Sequence, residues 1–194
     1  RIGPGDFFQT NPSTADVLYR RTIELLDLQQ DEAFLDLYCG VGGLALQGAR
    51  KTGWAMGIEE VEGAVLHARD AARRNGLSAQ FLCGEVREEL PQVQKLLGNR
   101  GCAISVNPAR RGLEEDVIEG IVALKPSRVA YISCNPRAFA RDLQAFREAG
   151  LEIGEVELFD MFPNTAHVEC LVVLRDPTVS QGKVRAPRRR VVRR

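Results

Sequence analysis

Two residues in this chain combine a reactive side chain with a position where a purely structural role is costly. Cys134, in "YISCNP" (131–136), directly follows a run of strand-forming residues and has polar neighbours, Ser133 and Asn135. A helix is expected to begin near Pro136, and a thiol beside helix N-terminal amides is expected to have a lowered pKa and to act as a nucleophile. A structural cysteine more often lies mid-strand among apolar residues, as Cys102 and Cys170 are expected to. Glu169, in "HVECLVVL" (167–174), is a carboxylate inside an apolar strand pattern. Such a group is costly unless partnered or used, and burial raises its pKa into the range of a general base. His167 shares its face two residues earlier and reads as an RNA contact or a satisfied histidine, with a partner for Glu169 as the remaining alternative. His67 lies in a helical pattern and is expected at the surface.

Three further sites are polar where strands should end. "DLYCGVGGLAL" (36–46) reads as strand, glycine turn and helix, with Gly40 and Gly42 allowing close backbone approach to a ligand. Glu59 closes the next strand, where a carboxylate accepts ribose hydroxyls, so an adenosine-containing cofactor is expected. Gly40, Gly42 and Ala45 satisfy the G-x-G-x-x-A dinucleotide pattern, which keeps a NAD oxidoreductase open; the Asp36-x-x-x-Gly40-x-Gly42 form is similar to the first motif of S-adenosylmethionine (SAM) methyltransferases. In "SVNPARRG" (105–112), Asn107 can both donate and accept toward a planar amide-like edge, Pro108 stops the strand, and Arg110 and Arg111 suit phosphate.

The elements that must position these residues alternate between strand and helix. Strands are expected over 33–39, 54–59, 79–84, 102–108, 128–134, 151–159 and 167–174, with helices over 44–51, 61–76, 113–124 and 137–150, the last capped by Gly150. In the 61–76 helix, Val61, Val65, Leu66 and Ala72 are expected to form the apolar face. The alternation predicts an α/β domain with a mostly parallel sheet covered on both faces and, since no helix separates the last two strands, an antiparallel C-terminal edge. Ligands bind such sheets at the carboxyl ends of the strands, which is where Asp36 to Gly43, Glu59, Asn107-Pro108 and Ser133 to Asn135 fall.

Composition sets the bounds. A chain of 194 residues with 44% hydrophobic residues suits one soluble domain, and no apolar run is long enough to span a bilayer. The five cysteines include no C-x-x-C pair, which predicts no disulfide framework or zinc site, a reducing cytoplasmic setting, and burial of four of the five. Formal charge is zero, but the seven basic and no acidic residues after Asp176 leave 19 basic against 26 acidic residues in 1–176. The tail, 177–194, reads as basic and disordered, with phosphate contact as its alternative. The acidic body runs against a nucleic-acid partner. The start at "RIGPGDFFQTNP", without Met, suggests a fragment or processed chain.

Taken together, "FFQTNP" (7–12), "DLYCGVGG" (36–43), "GIE" (57–59), "VNPARRG" (106–112), "SCNPRAFARDL" (133–143) and "FDMFPNTAHVE" (159–169) resemble the SAM-dependent RNA uracil-C5 methyltransferases, over nearly all of 1–174. "FFQTNP", "VNPxRRG" and "FDMFPxTAH" are most similar to the branch acting on a uracil in 23S ribosomal RNA; the other branches usually carry Asp at the position of Asn107. The resemblance implies a Rossmann-like methyltransferase fold. It assigns SAM contacts to Gln9, Tyr38, Glu59 and Asn107, with Gly40 shaping the loop, and makes Cys134 the nucleophile and Glu169 the base. Gln9, Asn107, Arg110, Arg111, Phe162 and His167 would face the RNA, with Phe8 or Phe162 stacking on the base. Ala109 replaces a usual second proline, and Gly43 stands where the tRNA branch has Asn. Family members add an N-terminal RNA-binding region, in this branch with a cysteine-ligated iron–sulfur cluster; no such cysteine set occurs here, so a metal-free catalytic domain is expected, residues 31–176, with residues 1–30 supplying a packed helix. A monomer is expected. A catalytically inactive RNA- or SAM-binding domain is the rival, which the joint presence of Cys134 and Glu169 opposes.

Overall fold

The computed structural model describes residues 12–161, 165 and 168–179. Six helices, α1 (Pro12–Leu26), α2 (Gly43–Gly48), α3 (Glu62–Arg74), α4 (Val86–Leu97), α5 (Glu115–Ala123) and α6 (Pro136–Glu148), accompany eight strands: β1 (Ala33–Leu37), β2 (Trp54–Glu59), β3 (Ala79–Cys83), β4 (Cys102–Val106), β5 (Arg128–Ser133), β6 (Glu152–Ile153), β7 (Glu157–Phe159) and β8 (Glu169–Arg175). They form one sheet in the order β3-β2-β1-β4-β5-β8-β6, with β7 also paired to β8. The strands from β3 to β5 are parallel, and β8 runs antiparallel to β5, β6 and β7. The α/β reading and the antiparallel end are as expected. The final strand is not itself outermost, because β8 inserts between β5 and the short pieces β6 and β7.

Every residue of β1, β4 and β5 is buried, as in strands covered on both faces. Alternation divides the core. Leu35, Leu37, Ile104, Val106, Val129, Tyr131, Val172 and Leu174 pack beneath α4, α5 and α6, whereas Phe34, Ala103, Ala130, Ile132, Leu171 and Val173 meet α1 through Ala15, Leu18 and Leu26. Gly48 of α2 lies so close to β1 that an added Cβ would sit 2.0 Å from the Phe34 ring. Gly48→Ala should therefore destabilise the protein by about 1–3 kcal/mol, measured by urea unfolding; an unchanged midpoint would show that Phe34 can move aside.

Three expectations are corrected. On α3, Val61 and Leu66 are exposed, and the buried face is Ala64, Val65, Ala68 and Ala72. Small residues win there because the helix lies close to the glycine turn: a Cβ on Gly42 would come 3.1 Å from that of Ala68. His67, expected at the surface, is half-buried. Cys83 ends the edge strand β3 and is exposed, leaving Cys39, Cys102 and Cys170 buried and Cys134 half-buried. The helix α4 was not foreseen. It buries Val86, Leu90, Val93 and Leu97 despite Pro91 within it. Four apolar side chains at roughly 1.5–3 kcal/mol each outweigh a proline defect of about 3 kcal/mol.

Candidate active site

The strand order reverses between β1 and β4, so their carboxyl ends flank the crevice where such sheets bind ligands. Chain geometry on the β1 side is unusual. Tyr38, Gly40 and Gly42 all take positive φ, at 64°, 54° and 82°. For Tyr38 this costs on the order of 1 kcal/mol or more. The turn is held from β2: the Gly40 amide donates to Glu59 Oε2 at 2.9 Å and the Val61 amide to Oε1 at 3.0 Å. A carboxylate accepts about four hydrogen bonds, so Glu59 can lock the turn and still receive hydroxyls. Among the described residues no heavy atom beyond Gly40's chain neighbours lies within 4 Å of a Cβ built on Gly40.

Beneath the turn, Asp36 is buried and receives the Ala45 amide at 2.9 Å and the Ser105 hydroxyl at 2.6 Å. Burial pushes its carboxyl up to about 7 against those two hydrogen bonds. Tyr19 of α1 lies alongside: burial first, then the charges of Asp36 and Glu169, push its hydroxyl up to about 12. A Cβ on Gly43 would sit 2.7 Å from the Tyr19 ring, so the ring occupies the space that an Asn at position 43 would need. Sequence reading missed Tyr19 and Ser105; only their register opposite the glycine motif could have flagged them.

On the β4 side, Asn107 is half-buried, and its amide donates to the Leu37 carbonyl at 3.4 Å, so it lies against the end of β1. Arg110 and Arg111 are exposed, and Arg111 lies 3.4 Å from the Glu114 carboxylate. Tyr38 is half-buried, its hydroxyl pushed up to about 12 by burial and then by Glu114.

Cys134 and Glu169 meet at the antiparallel end. Ile132 pairs with Leu171 and Ser133 with Cys170, so the next rung sets Cys134 opposite Glu169. Alternation places both on the face that α1 covers, the face of Asp36 and Ser105. Glu169 is 5% exposed, and its Oε2 is buried with no hydrogen-bond partner among the described residues. Burial raises its carboxyl to about 7. The expected lowering of the Cys134 pKa is overturned. Burial and then the Glu169 charge raise it, opposed by a backbone hydrogen bond and then by Arg110, and the Asn135 side chain already caps the Arg137 amide of α6. Burial and like charge outweigh one partly satisfied helix end. Gln9, Phe8, Phe162 and His167, and residues 180–194 of the basic tail, lie outside the described residues.

Among the described residues no helix is long and apolar enough to cross a membrane, and no group of His, Cys, Asp and Glu is arranged to hold a metal ion.

Residues 3–176 match the family model for tRNA (Uracil-5-)-methyltransferase. Similar curated proteins include an uncharacterized RNA methyltransferase of Oceanobacillus iheyensis, 38% identical over 174 residues, and one of Bacillus cereus, 40% identical over 174 residues; each alignment covers 89% of this chain and 38% of the relative. A similar solved structure is the Pyrococcus abyssi tRNA (uracil-54, C5)-methyltransferase in complex with S-adenosyl-L-homocysteine, with a TM-score of 0.72, 32% identity, and coverage of 89% of this chain and 41% of that one. The fold and site define a Rossmann-like methyltransferase domain. The chain belongs to the tRNA (Uracil-5-)-methyltransferase family, and spans about 38% of the length of the curated relatives it matches.

Proposed function

We propose that this domain transfers a methyl group from SAM to C5 of a uracil in RNA, through a covalent adduct between Cys134 and C6. The observation that carries this reading is the placement of a thiol and a buried carboxylate opposite each other on one sheet face, at the same end of the sheet as an open glycine turn. Tyr38, Glu59 and Asn107 would hold SAM, with Gln9 joining them, and the space beside Gly40 suits its nucleoside. SAM supplies a methyl group made electrophilic by its sulfonium.

The chain's own residues supply the rest. The Cys134 thiol, protonated at rest, gives up its proton to bulk water as its sulfur adds to C6, forming a C–S bond and pushing the ring's electron pair toward C5, which becomes a carbon nucleophile. Once C5 carries the methyl group it still holds its proton. Glu169 takes that proton, the C5–C6 double bond re-forms, and Cys134 leaves as thiolate. A carboxyl near 7 is about half ionised at neutral pH, matching a base to its task. The uracil has to leave its stack to reach this rim. Asn107 and Gln9 would read its polar edge, Phe162 would stack on it, and Arg110, Arg111 and His167 would face the flanking backbone.

The 23S ribosomal RNA is the proposed target, supported by "FFQTNP", "VNPxRRG" and the Asn at 107. The Pyrococcus abyssi relative acts on tRNA, which keeps tRNA as the second substrate to test. Calorimetry with SAM and with NADH, followed by mass mapping of 23S ribosomal RNA and tRNA transcripts treated with protein and SAM, tests the whole reading. SAM binding and 5-methyluridine in the 23S transcript are expected. NADH binding without SAM binding would sink it, and methylation confined to tRNA would move the substrate.

A further inference from the structure

The loop carrying Asn107, Arg110 and Arg111 is fastened to α6 by side chains that the proposed reaction does not use. Asp142 is 1% exposed. Its Oδ2 accepts the Leu113 amide at 2.8 Å and the Tyr131 hydroxyl at 2.5 Å, and its Oδ1 accepts Arg141 Nε at 2.8 Å. Arg141 Nη2 donates to the carbonyls of Arg111 at 3.0 Å and Leu113 at 3.1 Å. Asn135, next to Cys134, donates through Nδ2 to the Arg110 carbonyl at 2.9 Å. Gly112, at φ 81°, leaves no room for a side chain: a Cβ would stand 2.5 Å from Asp142 Oδ2 and 2.7 Å from Arg141 Nη2. Tyr131 is anchored in turn by stacking on Phe139, with ring centroids 5.2 Å apart.

Four backbone groups of residues 110–113 are thus held by three side chains from the segment that begins at Cys134. The geometry points to Arg141 and Asp142 as positioning residues that fix the Asn107–Leu113 loop against the Cys134 turn, so that the base-reading and thiol sides of the pocket keep one separation. This rests on the function proposed above for what the separation serves; the clamp itself does not. Arg141 has a 60% exposed side chain beside the proposed RNA surface, which invites a different reading as a phosphate contact. Its Nε and Nη2 are already committed to Asp142 and two carbonyls. A phosphate contact tolerates lysine, whereas a planar fork bridging a carboxylate and two carbonyls does not.

Asp142 lies in the core, where replacement endangers folding, so the test uses Arg141→Lys and Arg141→Ala in the 194-residue chain. Amide hydrogen exchange over residues 110–113 should accelerate ~10-fold or more in both variants, since several hydrogen bonds are lost, while β5 keeps its protection. With whichever transcript the wild type methylates, kcat should fall ~10-fold in both variants. The salt dependence of RNA binding should stay unchanged, because no phosphate contact is removed. Unchanged exchange overturns the clamp. Faster exchange with wild-type kcat overturns the positioning role. Rescue by Lys, with the Ala loss appearing as weaker and less salt-dependent RNA binding, assigns Arg141 to phosphate instead. If the wild type methylates neither transcript, the proposed function fails, and the exchange measurement still decides the clamp.

Discussion

Cys134→Ala should leave the protein folded and abolish methyl transfer, by at least about 10⁴-fold if the thiol is the covalent nucleophile. The half-buried side chain loses only its sulfur, so stability should shift within about 0.5 kcal/mol, as for ordinary surface changes. RNA containing 5-fluorouracil should trap the wild-type protein, because fluorine at C5 cannot leave as a proton does. The alanine variant should trap none; a surviving adduct would falsify the nucleophile assignment. The raised pKa adds a second check. Burial and the Glu169 charge hold the thiol protonated at neutral pH, so alkylation of Cys134 by iodoacetamide should climb only well into alkaline pH. Replacing Glu169 by Gln removes the like charge and should move that climb to lower pH.

The same Glu169→Gln change should make the protein more stable and less active. The carboxyl titrates near 7 in the fold against 4.5 unperturbed. The folded protein therefore holds its proton more tightly than the unfolded chain does. That contribution to stability is present below about pH 4.5 and is lost as pH rises through 7. At pH 8 the variant should be more stable by roughly 1–3 kcal/mol, and the two proteins should converge near pH 4, as read by urea titration across pH. Turnover should fall, with the Cys134–RNA adduct accumulating because the C5 proton has no acceptor. Normal turnover would make Glu169 a structural residue. Asp36 carries the same sign of shift, up to about 7, so alkaline weakening of the wild type has two sources and the variant removes one.

The strands β1 to β5 and the glycine turn were legible in the sequence because they depend on local patterns: buried runs, glycines at positive φ and a proline stop. The pairing of Cys134 with Glu169 was legible only as two separate oddities, a thiol at a strand end and a carboxylate in an apolar strand. Their meeting depends on β8 entering between β5 and β7, a register no local pattern encodes. For the same reason no local pattern singles out Asp142 and Arg141 on their helix. Their partners, Leu113 and Tyr131, arrive from other elements. The thiol's pKa was misjudged because a helix start is visible in sequence and a facing carboxylate is not. The helix α4 was hidden by Pro91, whose breaking tendency is local while the burial that overrides it is tertiary.

The place of β8 bears on the order in which the protein is made. Among the described residues it is the last strand in chain order, yet it lies inside the sheet, between β5 and the earlier β6 and β7. A ribosome-bound chain emerging only as far as β7 leaves the far edge of β5 unpaired, and Cys134 then has no carboxylate facing it. The thiol and the carboxylate come together in the same late event that closes the sheet. On the chemistry proposed above, a chain lacking β8 would have the thiol that captures RNA without the carboxylate that releases it.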